Sequence, residues 1–288
     1  MSRQRLTETF AEVVFLVSAL TGILSVALIC FFLFVGGLPA IREIGAFAFL
    51  FGREWAPVDT PPAFGLLPMI VGSIYITAGA IVLGVPVGIL TAVFMAKVCP
   101  KAIYRVLKPA VDLLAGIPSV IYGFFGLVVI VPLIRETFGG NGSSILSASI
   151  LLALMILPTL IGMSESAIRA VPTELYDGAV ALGASHEGAV FRVLLPAAKS
   201  GIFAAIVLGI GRAIGETMAV IMVAGNQARM PVGILKGART LTSNIVLEMG
   251  YAAGLHREAL VAGGVVLFIF ILLLNLCFSA LNRKGIGR

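Results

Sequence analysis

The stretch PTELYDGAVALGASHEGAVFRVLLP, Pro172 to Pro196, is polar and lies between long apolar runs. Pro172 presets the backbone for a helix start, and Glu174 and Asp177 suit the positive N-terminal end of that helix. Ala179 and Ala181 are small enough for another surface to approach. Gly183 can take the left-handed conformation that ends a helix. Ser185 then caps a second short helix with Glu187 in its first turn. Val190, Phe191, Leu194 and Leu195 give that helix an apolar side, and Pro196 is expected to end it. The product is a bent helix pair standing off a membrane. No packing need explains such a segment between two spans, which makes it a handle for another molecule. The plainer alternative is an amphipathic interfacial loop.

The surrounding chain explains why a membrane enters the argument. Its 288 residues are 59% hydrophobic and 12% charged, whereas soluble domains average roughly 45–50% apolar and 25% charged. The net charge of +6 is dispersed between apolar runs, with no basic face or aromatic-interleaved basic motif, so nucleic acid is excluded as a partner. Cys30, Cys99 and Cys277 have no metal-ligand spacing and read as small hydrophobes. His186 and His256 lie far apart and read as surface residues. There is no metal cluster, no Ser-His-Asp arrangement and no GxxxxGK[ST] phosphate loop, so the chain reads as a non-enzyme without a cofactor.

A span needs about 20 largely apolar residues. Six segments qualify, near 13–35, 69–96, 111–133, 145–163, 202–223 and 259–281. The fold class is therefore an all-α integral membrane protein with six transmembrane helices. Residues 1–68 hold the first helix, retained rather than cleaved, and a loop placed outside the membrane. Trp55 in that loop suggests contact with the headgroup level. Residues 69–281 form the core, with the handle at 172–196, and 282–288 a basic tail.

Six spans put both termini on one side. The handle's side holds Arg3, Arg5, Lys97, Lys101, Arg105, Lys108, Arg169, Arg192, Lys199, Arg283, Lys284 and Arg288. The other holds Arg42, Arg53, Arg135, Arg229, Lys236, Arg239 and Arg257. The excess of basic residues places the termini and the handle in the cytoplasm.

Two charges fall deep inside the fifth span. Arg212 lies about 15 Å along the helix from Ile202, near the bilayer middle, where an arginine costs about 2.5–3.5 kcal/mol. Glu216 is four residues on, so the two share a face and can pair. Either Arg212 offers its planar fork to a passing oxyanion while Glu216 holds or releases it, or the pair locks the span to a neighbour. Ser119 and Tyr122 either add neutral hydrogen bonds to the same path or belong to a packing kink at Pro118. Asp112 beside Lys108 reads as an interfacial pair. Arg229, Lys236, Arg239 and Arg257 either attract an anion or meet an acidic partner surface.

The pattern Asp177-Gly178-Ala179, three residues, Gly183, nine residues, Val193-x-Leu195-Pro196 resembles the EAA loop of ATP-binding-cassette importer permeases. Asp and Gly stand where that loop has Glu and its first Ala, and Val replaces Ile. The glycine weakens the helix by roughly 1 kcal/mol. The resemblance extends to FLFGREWAP (Phe49 to Pro57), LAGIPSVIYG (Leu114 to Gly123) and GRAIGETMAV (Gly211 to Val220), which are similar to phosphate-specific permeases of the PstC family. It implies a type I (MetI-like) importer fold in the bacterial inner membrane. Glu174, Asp177, Ala179, Gly183, Ser185, Leu195 and Pro196 would then dock on a separate ATPase, and Arg212, Glu216, Ser119 and Tyr122 would line a phosphate path. The implied partners are a PstA-like permease, a PstB-like ATP-binding dimer and a PstS-like extracytoplasmic phosphate-binding protein. The alternatives are the same machine for sulfate or molybdate, and a secondary transporter driven by an ion gradient, which would have no need of the handle.

Overall fold

The computed structural model describes residues 3–286; Met1, Ser2 and the last two residues of the basic tail lie outside them. Helix α1 (Arg3–Ile44) continues well past the expected end near Val35 and carries Pro39 inside it. Gly45, at φ 88°, turns the chain into α2 (Ala46–Phe51). A two-stranded antiparallel hairpin follows, β1 (Trp55–Ala56) and β2 (Ala63–Phe64), with Trp55 opposite Phe64. The expected loop is thus a folded unit.

Helix α3 (Leu67–Val93) runs into a π-helical turn at Phe94–Val98. Helix α4 (Lys101–Gly116) is separate and amphipathic. The chain is extended at Ile117 and Pro118 before α5 (Ser119–Phe125), a second π turn at Gly126–Ile130, and α6 (Val131–Phe138). The third span therefore covers Ser119–Phe138 rather than starting at Val111. Pro118 is the reason, because the residue before a proline is pushed out of the helical region.

Helix α7 (Ile145–Arg169) is the centre of the bundle, with most of its length buried. The handle comprises α8 (Thr173–Ala181), α9 (His186–Ala189), a third π turn at Val190–Leu194 and α10 (Leu195–Ala197). Helix α11 (Lys199–Gly215) leaves it at a 69° bend. Pro196 lies inside α10 and does not end it; the turn falls at Ala198 (φ −84°, ψ −1°). A proline leaves the carbonyl four residues earlier without its donor. For Pro132 and Pro196 that residue, Val128 or Arg192, lies within a π turn, a local widening that accommodates the lost bond. Helices α12 (Met218–Val223), α13 (Leu241–Met249) and α14 (Gly254–Ile286) complete the chain.

Among the described residues five helices are long and apolar enough to cross a membrane, and α11 with its bent approach makes a sixth. Small residues let them close on one another, as is usual where lipid supplies no hydrophobic drive. A Cβ at Gly88 of α3 would stand 2.9 Å from the Leu160 Cβ of α7. Ser149 of α7 donates to the Ile76 carbonyl of α3 at 3.1 Å. Gly37 of α1 lies against Ala262 and Val265 of α14. The segment 225–240 folds back into the bundle. The Lys236 and Ile234 carbonyls accept from the N–H groups of Ile145 and Leu146 at 3.0 and 2.8 Å, amides that the start of α7 otherwise leaves free.

Candidate functional site

The fifth span is broken where its two charges lie. Helix α11 ends at Gly215, and Glu216 is extended (φ −68°, ψ 133°). Two hydrogen bonds, one local and one from α13, hold that conformation. The Glu216 carboxylate Oε1 accepts from the Ala219 N–H at 3.2 Å, one of the open amides at the start of α12. The Thr242 hydroxyl of the α13 start donates to the Glu216 carbonyl at 3.0 Å. Glu216 therefore does not continue the helix, and the expected ion pair with Arg212 is not formed. Arg212 turns instead to α7, where Nη1 donates to the Thr159 hydroxyl at 3.1 Å. Among the described residues no carboxylate lies within ion-pair distance of Arg212. Arg212 is half-buried, and with one donor engaged by Thr159 its guanidinium keeps most of its donors and all of its charge for another acceptor.

Tyr122 and Ser119 lie three residues apart on α5, on one side of it. Tyr122 is buried in the same apolar cluster as Ala213 and Ala219, which flank the break. Its hydroxyl donates to the Leu114 carbonyl at 2.9 Å, closing the turn between α4 and α5. The fold thus brings Tyr122 to the break with its donor already engaged, while Ser119 is half-buried one turn away.

The handle forms as its residues dictate. Gly183 has φ 91°, its N–H bonds the Val180 carbonyl at 2.9 Å, and the Ala184 N–H bonds that of Ala179 at 3.0 Å, a Schellman ending for α8. The Ser185 hydroxyl accepts from the Gly188 N–H at 3.1 Å. Val190 and Leu194 are buried against the ends of α3 and α7, with Leu195 packed beside them. Glu174, Asp177, Gly183, Ser185 and Pro196 are exposed and Ala179 is half-exposed. Phe191 is exposed as well, on a concave surface with Gly183, Ala184, Ser185 and Arg192. From Ala198, α11 reaches Arg212 over about 20 Å of continuous helix.

Two buried carboxylates escaped the sequence reading. Glu165 of α7 lies at the handle's end of the bundle. Its Oε1 accepts from the Tyr104 hydroxyl at 2.7 Å and from Arg169 Nε at 2.8 Å, while Lys108 Nζ lies 3.5 Å from Oε2 and 3.3 Å from Asp112. Arg169 also donates to the Met95 carbonyl at 2.7 Å. The hydrogen bond to Glu165, with burial behind it, raises the Tyr104 pKa. Burial opposes the charge on Lys108, but its bond to Asp112 and the Glu165 charge prevail and raise its pKa. The second carboxylate, Glu248, gathers Trp55, Arg239 and His256 at the opposite end. Trp55 and His256 are therefore buried rather than superficial, and Arg239 is committed to an ion pair. Among the described residues no cluster of three or more metal-ligating side chains occurs.

The fold and sequence have clear relatives. At 22% identity the chain is similar to the MetNI methionine ABC transporter in inward-facing conformations (TM-score 0.62; 76% of this chain and 95% of that one). At 18% identity it is similar to a bacterial alginate ABC transporter bound to its periplasmic protein (TM-score 0.63; 92% and 94%). A probable ABC transporter permease protein, YqgH of Bacillus subtilis, is 39% identical over 95% of this chain and 92% of its own length. The phosphate transport system permease protein PstC of Mesorhizobium japonicum is 35% identical over 84% and 80%, and that of Haemophilus influenzae 32% over 93% and 92%. The family model for the binding-protein-dependent transport system inner membrane component matches residues 84–284. The chain is a multi-pass inner-membrane permease of the ABC importer type, a transport component rather than an enzyme, and it belongs to the binding-protein-dependent transport system inner membrane components, within their PstC group.

Proposed function

We propose that this permease forms half of the pathway of an ATP-driven phosphate importer, with Arg212 as the cationic element that phosphate meets. One observation carries the proposal: a half-buried arginine, bonded to the neutral Thr159 and to no carboxylate among the described residues, at a break in a span that leads directly to the handle. Arginine suits an oxyanion because its fork matches two oxygens at once. Glu216, tied to α12, keeps its negative charge off Arg212 and directed to a helix N-terminus. Ser119 adds a neutral donor nearby, and Tyr122 shapes the wall.

The drive comes from outside the chain. The surface at Glu174, Asp177, Gly183, Ser185 and Pro196, with the half-buried Ala179 and Leu195 beside them, docks on a PstB-like ATP-binding dimer. Closure of that dimer swings α9 and α10, and the bend at Ala198 passes the motion to α11 as a lever that carries Arg212 between its two exposures. A PstA-like permease supplies the other half of the pathway, and a PstS-like binding protein delivers phosphate to the far face. The excess of basic residues on the handle's side supports cytoplasmic termini, and residues 69–281 act as the transport core.

Reconstitution in proteoliposomes with those three partners tests the proposal. Labelled phosphate accumulates only with ATP, ionophores leave it unchanged, and excess sulfate or molybdate does not compete. Competition by either oxyanion, or loss of uptake with the ion gradients, rejects it.

A further inference from the structure

One carboxylate joins four separate segments at the end of the bundle opposite α8–α10. Glu248 of α13 has a side chain only 8% exposed. Trp55 Nε1, from the β1–β2 hairpin, donates to its Oε2 at 2.9 Å. His256 Nε2, from the start of α14, stands 2.8 Å from the same oxygen. Arg239 Nη1, from the segment 225–240, donates to Oε1 at 2.6 Å.

The network continues toward the pathway. Arg239 Nε donates to the Asn226 carbonyl at 3.0 Å. Asn226 has φ 51°, the one positive value at a non-glycine residue among those described, and its Nδ2 donates to the Ile221 carbonyl of α12 at 2.7 Å. The far end of α12 is therefore held by Asn226 and the near end by Glu216, four residues from Arg212. A buried ion pair holds a fold no better than apolar residues of the same volume. What it supplies is directional bonds, made in one arrangement of the four segments and lost in another.

We infer that Glu248 is a positioning residue for transport: through Arg239 and Asn226 it sets the far end of α12, and so links events on the far face to the break at Arg212 and Glu216. The hairpin tip at Val58 and the loop at Val232 are exposed on that face, where a docking protein would press on two of the four joined segments. The inference rests on the reading of residues 212–216 as the pathway.

The assembled importer in nanodiscs, carrying Glu248→Gln or Glu248→Asp, tests it through ATP hydrolysis with and without phosphate-loaded binding protein. Glu248→Gln is expected to assemble, to keep basal hydrolysis, and to lose about tenfold of the stimulation, with Glu248→Asp recovering part. Unchanged stimulation overturns the inference. So does a fall in basal and stimulated hydrolysis in parallel with thermal stability, since that is a structural role. If Glu248→Gln fails to assemble, Trp55→Phe removes a single donor while keeping a ring, and an unchanged ratio there overturns it as well. Wild-type stimulation is the control: its absence with phosphate-loaded binding protein rejects the phosphate reading, whereas its presence in wild type and full retention in Glu248→Gln rejects this inference alone.

Discussion

Arg212 bonds to Thr159, across to α7, and not to Glu216, four residues along its own chain. The distinction has a consequence. An arginine neutralised by Glu216 would offer an anion little field, whereas one held by a hydroxyl keeps its charge. Thr159→Val removes that hold while preserving shape. The lost hydrogen bond is worth about 1 kcal/mol, roughly fivefold in uptake, with assembly intact. Arg212→Lys keeps the charge but not the fork, and falls further. Uptake rates of the two assembled variants check the order.

The handle's geometry depends on two residues. Gly183→Ala places a Cβ at φ 91°, a left-handed position that costs about 1–2 kcal/mol. Ser185→Ala removes the cap on Gly188 and costs about 1 kcal/mol. Both variants are expected to leave the bundle folded and to reduce the ATPase subunit that copurifies, Gly183→Ala more than Ser185→Ala. Quantitative pull-down from solubilised membranes measures this.

Contact between α3 and α7 sets the bundle's tolerance to bulk. Gly88→Val drives a side chain into Leu160, an overpacking worth about 1–3 kcal/mol. Gly22→Ala, with open space around it, removes backbone freedom from a helix interior and is expected to be neutral or slightly stabilising. Thermal unfolding in detergent separates the two, with a lower midpoint for Gly88→Val alone.

These variants also divide what the sequence disclosed from what it concealed. The handle was legible because its determinants are local: Gly183, Ser185 and Pro172 act within a few residues of themselves. The apolar runs were legible for the same reason. The break at Glu216 was not, because GRAIGETMAV contains no residue that must leave a helix there. Thr242, donating from α13 to the Glu216 carbonyl, helps to hold it. The Glu248 network was out of reach altogether, since Trp55 and Glu248 are 193 positions apart. Pro118 is the intermediate case: visible as a breaker, yet only the fold shows that the apolar stretch before it is the amphipathic α4.

Glu165 fastens α4 to the end of α7 just before the handle. Tyr104→Phe leaves the buried carboxylate with one donor fewer, a loss of about 1.5–3 kcal/mol for a bond to a charged group. Amide exchange in 101–116 is expected to speed up, with the core of α7 unchanged, as followed by hydrogen-exchange mass spectrometry.

Arg212→Gln is the most direct test of the account. The glutamine keeps a donor for Thr159 and removes the charge. In proteoliposomes holding the assembled importer, ATP-dependent uptake of labelled phosphate is predicted to be lost while the ATPase subunit stays bound. Wild-type uptake by Arg212→Gln would contradict the claim that phosphate passes this residue.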